Sequence, residues 1–334
     1  MIELTVSILT ITYNHELYIA QALDSFLMQK TNFDFEIIIG EDCSTDTTRK
    51  IIEEYQQKYP EIIKLLPKTE NLGIEANFLR TTKACKGKYI AICDGDDYWL
   101  DENKLQLQVD FLETNNNFSA VSTLKKDFIQ SKNKFREKTD TIKGEVKVLK
   151  FKDFLYNSYL TPVTVMFKNS LVQKYVKLYS KNQNELTFLD YSIWLYLSFN
   201  QDIAILNKYT GVYRVLQESA SHFNENKSWI LESKFYRDFK FYKNNFSELD
   251  NNMMEKALYY KSTKYYINAC IAKDKEVCKE FLIILKENKD YLRYNLLRIS
   301  LKFDKGVKFT HFIEKLNLRL NKKLLKNSDD YFMS

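Results

Sequence analysis

Apolar and β-branched residues fill consecutive positions over 4–13 (LTVSILTITY), as in a strand buried on both faces. The next stretch, 16–29, sets Ile19, Ala22, Leu23, Phe26 and Leu27 at helical spacing. A second buried strand is predicted over 35–40 (FEIIIG). Over 44–59 (STDTTRKIIEEYQQKY) capping residues open an amphipathic helix. A short strand follows at 62–67, then a loop and helix over 71–87 closing on Gly87, a strand at 88–93 and a helix at 100–114. Strands alternating with helices predict βαβ crossovers and a mostly parallel sheet flanked by helices. Ligands of such sheets bind beyond the carboxyl ends of the strands. Thr12-Tyr13-Asn14, Glu41-Asp42-Cys43-Ser44 and Asp94-Gly95-Asp96-Asp97 are therefore expected along one edge.

The middle of the chain is less regular. Strands are predicted at 118–123, 161–169, 203–208 and 210–215, and a helix that begins with an acid at 189–199. Beyond Ser219 the pattern turns helical. We expect a boundary near residue 225, giving a domain over 1–225 and a helical region over 226–334 that ends in a basic amphipathic tail.

Composition narrows the class. Of 334 residues, 45% are hydrophobic and 28% charged, normal for a globular protein, and 7 Gly and 3 Pro leave little room for disordered linkers. The five Cys form no C-x-x-C pair, which argues for reduced thiols over a disulfide framework or zinc site. Glu3 stands where a signal peptide would carry a cation, and no apolar run approaches the ~18 residues of a membrane span. A cytoplasmic protein is expected, or one peripheral to the inner face of the membrane. The net charge of +6 is uneven: 293–326 carries ten Lys and Arg against two acids, a net +8, which leaves the rest of the chain at −2. Within that stretch Phe312, Ile313, Leu316, Leu320 and Leu324 fall near one helical face. It either lies on anionic lipid or docks on its own helical region. No recognition motif supports nucleic acid as a partner.

The most unusual stretch is YIAICDGDDYW (89–99), where three aspartates follow a buried strand within four positions. At ~4 Å and an effective dielectric of ~20, each like-charge pair costs about 4 kcal/mol. A solvated loop tolerates this; a site at the ligand edge calls for a cation. Hard oxygen ligands select Mg²⁺ or Mn²⁺, with substrate phosphates completing the shell. The chain has neither a P-loop nor G-x-G-x-x-G, no H-E-x-x-H, and its three His (His15, His222, His311) are far apart in sequence. A diphosphate would thus be bound through metal.

VSILTITYNHELYIAQALDSFLMQ, EIIIGEDCSTDTT, NLGIEANFLRTTKACKGKYIAICDGDDYW and KLQLQVDF, in this order, resemble the family 2 glycosyltransferases of the GT-A (Rossmann-like) fold. The resemblance spans roughly 4–112 and resumes at LDYSIWLYL and GVYRVLQESASH. It implies inverting, metal-dependent transfer of a hexosyl or N-acetylhexosaminyl group. The donor is a nucleotide-diphosphate sugar, usually a UDP-sugar. The acceptor is a hydroxyl of a glycan or lipid-linked acceptor in surface polysaccharide biosynthesis. Thr12, Tyr13 and Asn14 would contact base and ribose, and Asp42 the base, a loop-capping acid being its competing role. Asn71, Asn77 and Arg80 would flank nucleotide and diphosphate, an exposed-helix role being the alternative for Asn77. Asp96 is assigned to Mn²⁺ or Mg²⁺, Asp94 to ribose or metal, Gly95 to the nucleotide-sugar, and Asp97 to the donor sugar or metal. Asp190 matches the general base, although Leu189 replaces the usual Glu or Gly before it, and a helix cap is the alternative. Leu216 replaces the histidine of the closing Tyr-Arg-x-His, so His222 either supplies a metal or diphosphate contact or caps a lid. Arg214 suits a diphosphate. Trp99 and Tyr98 stack on a sugar or pack in the core, and Trp194 is placed on the acceptor side. A non-catalytic sugar-nucleotide or glycan-binding partner subunit is the other reading. A nucleotidyltransferase is weaker, because TITYNHE lacks a Gly- and Lys-rich loop.

Overall fold

The computed structural model describes residues 4–68, 70–137, 141–156, 160–216 and 228–259, with isolated positions beyond. The chain divides into two compact units, Met1–His222 and Phe223–Ser334. The first unit carries strands β1 (Val6–Thr12), β2 (Phe35–Glu41), β3 (Ile63–Leu65), β4 (Tyr89–Ile92), β5 (Tyr98–Trp99), β6 (Phe118–Ile129), β7 (Lys134–Phe135), β8 (Val146–Leu149), β9 (Met166–Lys168) and β10 (Asp202–Val215). Its helices are α1 (Ile19–Leu27), α2 (Thr48–Lys58), α3 (Gly73–Ala84), α4 (Lys104–Thr114), α5 (Phe151–Phe154), α6 (Asn169–Lys181) and α7 (Asp190–Asn200).

The strands form one mixed sheet in the order β3-β2-β1-β4-β9-β6-β10-β5, with β7 paired to β6 and β8 to β10. The β3-β2-β1-β4 part is parallel, β9 runs antiparallel between β4 and β6, and β6 and β10 are parallel. The continuous apolar run of β1 is accounted for by its place between β2 and β4: Val6, Ile8 and Leu9 are fully buried. Helix α1 puts Ile19, Ala22, Leu23 and Phe26 into that core. Helix α3 lies so close to β2 that a Cβ on Gly40 would collide with Thr81 Oγ1 and meet Asn77 Oδ1 at 2.8 Å.

The second half departs from the sequence reading in several places, among them β7, β8 and α5, which have no counterpart in it. The 161–169 strand is a 3₁₀ turn at Pro162–Thr164 followed by β9, because proline supplies no N–H to a ladder. The strands at 203–208 and 210–215 are one strand, β10, with register shifts on both sides of Tyr209. Helix α6 was not anticipated; it buries Val172, Tyr175 and Val176.

In the second unit, α8 (Ser228–Asn245) is followed by helical residues over 251–259. Tyr242 stacks on Phe246 with centroids 5.1 Å apart, and Lys243 Nζ meets Glu255 Oε1 at 3.1 Å. The basic amphipathic stretch 312–325 lies outside the described residues. Among the described residues no helix is long and apolar enough to cross a membrane.

Candidate active site

Parallel register sets Thr12 opposite Glu41, and pairing runs past the strand ends: Asp42 N donates to Thr12 O at 3.0 Å and Gly95 N to Ile11 O at 3.0 Å. The three turns expected at the carboxyl edge are thus side by side. The first two are stitched together. Asn14 N donates to Ser44 Oγ (2.9 Å), Asn14 Oδ1 accepts from Thr45 N (2.9 Å), and Glu16 Oε2 accepts from the amide and hydroxyl of Thr47 (3.0 and 2.6 Å). The hydroxyls of STDTT therefore serve long-range bridges; Asp46 Oδ1 receives the Thr48 amide at 2.9 Å. Asn14 and Cys43 both take left-handed backbone (φ 55° and 61°), one at each turn. Tyr13 projects, 43% exposed.

Asp42 is buried, and its two carboxylate oxygens accept the amides of Leu72 and Gly73, each at 2.8 Å. It caps α3 from the neighbouring strand end. Asn71 Nδ2 donates to Asp42 O (3.0 Å). Asn77 is buried and donates to Gly40 O (2.7 Å), and Arg80 donates to Asn77 Oδ1 (2.8 Å), Glu41 O (2.7 Å) and Pro67 O (3.1 Å). These side chains bind the end of β2 to α3. In this structure the bonds of Asn77 and Arg80 are to the protein itself.

The acid loop sits under β10. Asp97 Oδ1 accepts the Arg214 amide at 2.8 Å, and Arg214 Nε donates to Asp96 O at 2.8 Å. The remaining guanidinium nitrogens reach Gln130 Oε1 and Gln21 Oε1, both at 2.6 Å, and the group lies 4.8 Å from the Tyr18 ring centroid and 5.3 Å from that of Tyr98. Arg214, 5% exposed, is therefore a clamp on the loop. A Cβ on Gly95 would meet Thr12 Oγ1 at 2.5 Å, so the loop needs glycine for close approach to β1.

Burial raises the Asp94 carboxyl well above the ordinary range, and the charges of Asp96 and Asp190 raise it further. Burial and Asp96 raise Asp97, against the Arg214 amide. His15, between Thr12 Oγ1 (3.2 Å) and Asp96 Oδ2 (4.0 Å), is held below its usual range by burial, opposed by Asp96 and Asp46. Sequence reasoning passed over His15; its place directly after TYN was the available signal.

Asp190 opens α7, and its Oδ1 accepts the next residue's amide at 2.7 Å. Burial raises its proton affinity. It also brings its charge to Asp94 from a distant part of the chain. Trp99 is 2% exposed, packed 4.8 Å from Phe26 with its indole N–H on Val163 O (2.9 Å). Trp194 is fully buried against Phe167. Neither has a face for a sugar: Trp99 takes its core-packing alternative, and the acceptor-side placing of Trp194 is corrected to core packing. Tyr98 stays half-buried, facing Arg214. His222 lies outside the described residues.

Among the described residues no three His, Cys, Asp or Glu side chains close round a metal position. Half-buried Asp94 and Asp96 give a hard, oxygen-only set. That set fits Mg²⁺ or Mn²⁺ bound by one or two carboxylates with the rest of the shell from phosphate or water.

Residues 7–176 match the family described as Glycosyl transferase family 2. An uncharacterized protein of Mycobacterium tuberculosis (strain H37Rv) is 47% identical over 107 residues, 32% of this chain and 31% of that protein. The dTDP-rhamnosyl transferase RfbG of Shigella flexneri is 39% identical over 109 residues, 31% of this chain and 37% of its own. The chain thus spans about a third of the length of the curated relatives it matches. Among solved structures, S. aureus TarS 1–349 in complex with UDP-GlcNAc has a TM-score of 0.61 at 18% identity, covering 90% of this chain and 92% of that one. The mannosyltransferase PcManGT of Pyrobaculum calidifontis, in complex with GDP-Man and Mn²⁺, has a TM-score of 0.54 at 13% identity, covering 93% and 86%. At these identities the structures show a shared fold, the mixed α/β sheet flanked by helices. The chain belongs to glycosyl transferase family 2.

Proposed function

We propose that this chain is an inverting glycosyltransferase that moves a sugar from a nucleotide-diphosphate sugar to a hydroxyl of a glycan or lipid-linked acceptor. The observation that carries the reading is the match of residues 7–176 to glycosyl transferase family 2, with the acid loop at the carboxyl edge beside the turn of Thr12. The nucleotide lies over Thr12–Asn14 and Asp42, where Tyr13 is exposed beside the turn. A UDP-sugar is the first candidate donor, supported by the UDP-GlcNAc held by the TarS neighbour; the names of RfbG and of the mannosyltransferase keep dTDP- and GDP-sugars in the screen.

Asp94 and Asp96 would hold Mn²⁺ or Mg²⁺, which neutralises charge developing on a leaving diphosphate. Asp190 takes the proton of the acceptor hydroxyl as that oxygen attacks the anomeric carbon. The carbon–diphosphate bond breaks on the opposite face, so the configuration inverts. The raised proton affinity of Asp190 brings it nearer to working pH, as a general base requires. A role in surface polysaccharide synthesis is supported by a relative named as a putative teichuronic acid biosynthesis glycosyltransferase of Bacillus subtilis, 36% identical over 107 residues.

The test is release of nucleoside diphosphate from UDP-, dTDP- and GDP-sugars by wild type and Asp190→Asn. The variant is expected to keep nucleotide affinity and lose turnover. Wild-type turnover in Asp190→Asn would leave Asp190 as a helix-terminal residue only.

A further inference from the structure

We infer that Glu75 is a positioning residue: it holds the segment bearing Asp190 in register with the acid loop by accepting hydrogen bonds, not by its charge. The inference rests on the reading of Asp190 as the base. Helix α7 has no side-chain cap at Leu189, so its start must be fixed from outside. Two contacts from other helices do so, beside one local hydroxyl pair. The Phe188 amide donates to Glu75 Oε1 at 2.7 Å, Tyr175 Oη donates to Thr187 O at 2.6 Å, and Thr187 Oγ1 lies 2.5 Å from Ser192 Oγ. The buried Phe188 ring sits among Phe78 (5.7 Å), Tyr175 (5.7 Å, stacked) and Tyr179 (5.3 Å), and Tyr179 Oη also donates to Glu75 Oε1 at 3.3 Å.

Glu75 stands in the first turn of α3, two residues past the Gly73 amide that Asp42 receives. One helical turn therefore joins the expected nucleotide edge to the segment before Asp190. Loss of the Glu75 carboxylate removes the long-range bond to that segment and leaves Asp42 on its own partners. Donor binding and base placement should separate.

The experiment compares Glu75→Ala and Glu75→Gln in the full chain. The readouts are amide hydrogen exchange over 186–193, affinity for UDP, and turnover of whichever UDP-, dTDP- or GDP-sugar wild type uses fastest. In Glu75→Ala we expect exchange over 186–193 to rise at least about tenfold with UDP affinity unchanged. A catalytic group misplaced by about 1 Å costs about 100-fold, so kcat should fall roughly 10- to 100-fold with donor KM unchanged. Glu75→Gln should restore all three, because an amide oxygen accepts the same bonds. Wild-type exchange and turnover in Glu75→Ala, or equal damage in Glu75→Gln, would overturn the inference. Loss of UDP binding in Glu75→Ala would overturn it too, as the mark of a general structural role.

The double variant Glu75→Ala, Asp190→Asn should be no slower than Asp190→Asn alone; an additive loss would break the route through Asp190. Full turnover in Asp190→Asn would sink the base reading. An inactive Asp190→Asn beside an unaffected Glu75→Ala would sink only the claim for Glu75.

Discussion

The Asp97 carboxylate receives the backbone amide of Arg214 at 2.8 Å while the Arg214 guanidinium holds the Asp96 carbonyl at the same distance. The two residues lie 117 positions apart in the chain. Their double connection fixes the acid loop on β10, so the charge-rich turn is held by a strand as well as by its own short span. The guanidinium is almost fully used in this: it bonds in three directions and lies against the rings of Tyr18, Tyr98 and Phe128.

Arg214→Lys should therefore behave as a damaging change, because one ammonium cannot reach Asp96 O, Gln130 and Gln21 together. With buried acceptors left unpaired, we expect roughly 2–4 kcal/mol of lost stability and a loss of transfer activity. Urea unfolding measures the first quantity. A change below about 0.5 kcal/mol, the range of ordinary surface substitutions, would contradict the clamp.

Gly95→Ala adds a methyl that meets Thr12 Oγ1 at 2.5 Å and Thr12 Cβ at 2.7 Å. The neighbour is the end of a central strand and cannot give way cheaply. Overpacking of this kind costs about 1–3 kcal/mol, and the displaced loop should lose nucleotide affinity at least tenfold. Calorimetry with UDP and an unfolding curve check both.

Asp42 caps α3 and stands at the expected base contact. Asp42→Ala should cost about 1–2 kcal/mol as a lost cap and weaken UDP binding as well. Asp42→Asn keeps one acceptor and should lie between. Unchanged UDP affinity in both would confine Asp42 to capping.

Lys104 is fully buried beneath the loop, with Nζ on Gln108 Oε1 at 2.6 Å and 4.4 Å from the Trp99 ring centroid. Burial lowers its pKa to about 7, against opposing contributions from Cys93 and Asp101. The unfolded chain, with an ordinary lysine pKa, binds the proton more tightly. Stability contributed by this group is thus full above pH ~10 and falls as pH drops toward 7. Lys104→Met should raise stability by roughly 1–3 kcal/mol at pH 7, after the unpaired Gln108 oxygen is counted, with the gain vanishing near pH 10. Chemical denaturation at the two pH values tests this; a gain independent of pH would contradict it.

The first half of the fold was legible because β1 through β4 alternate with helices over short connections, and hydrophobic period separates strand from helix there. That logic also located the three turns. It failed where one short feature overrides a pattern: Pro162 turns an apolar run into a 3₁₀ turn, and the shifts round Tyr209 bend a single strand that reads as two. Helix α6 did carry its signal, Val172, Tyr175 and Val176 at helical spacing. Side-chain roles were harder. Residue type suits Arg214 to a diphosphate and Trp99 to a sugar platform or the core; the burial of both depends on partners far along the chain. For the same reason the Glu16–Thr47 bridge and the Glu75–Phe188 bond had no local signature.

The most direct test of the site is calorimetric titration of UDP, then GDP and dTDP, into the full chain with Mn²⁺ and again with EDTA, beside Asp96→Ala. The account predicts nucleotide binding that needs the cation and is lost in the variant. Binding of equal strength with EDTA and in Asp96→Ala, or no binding of any of the three nucleotides, would contradict it.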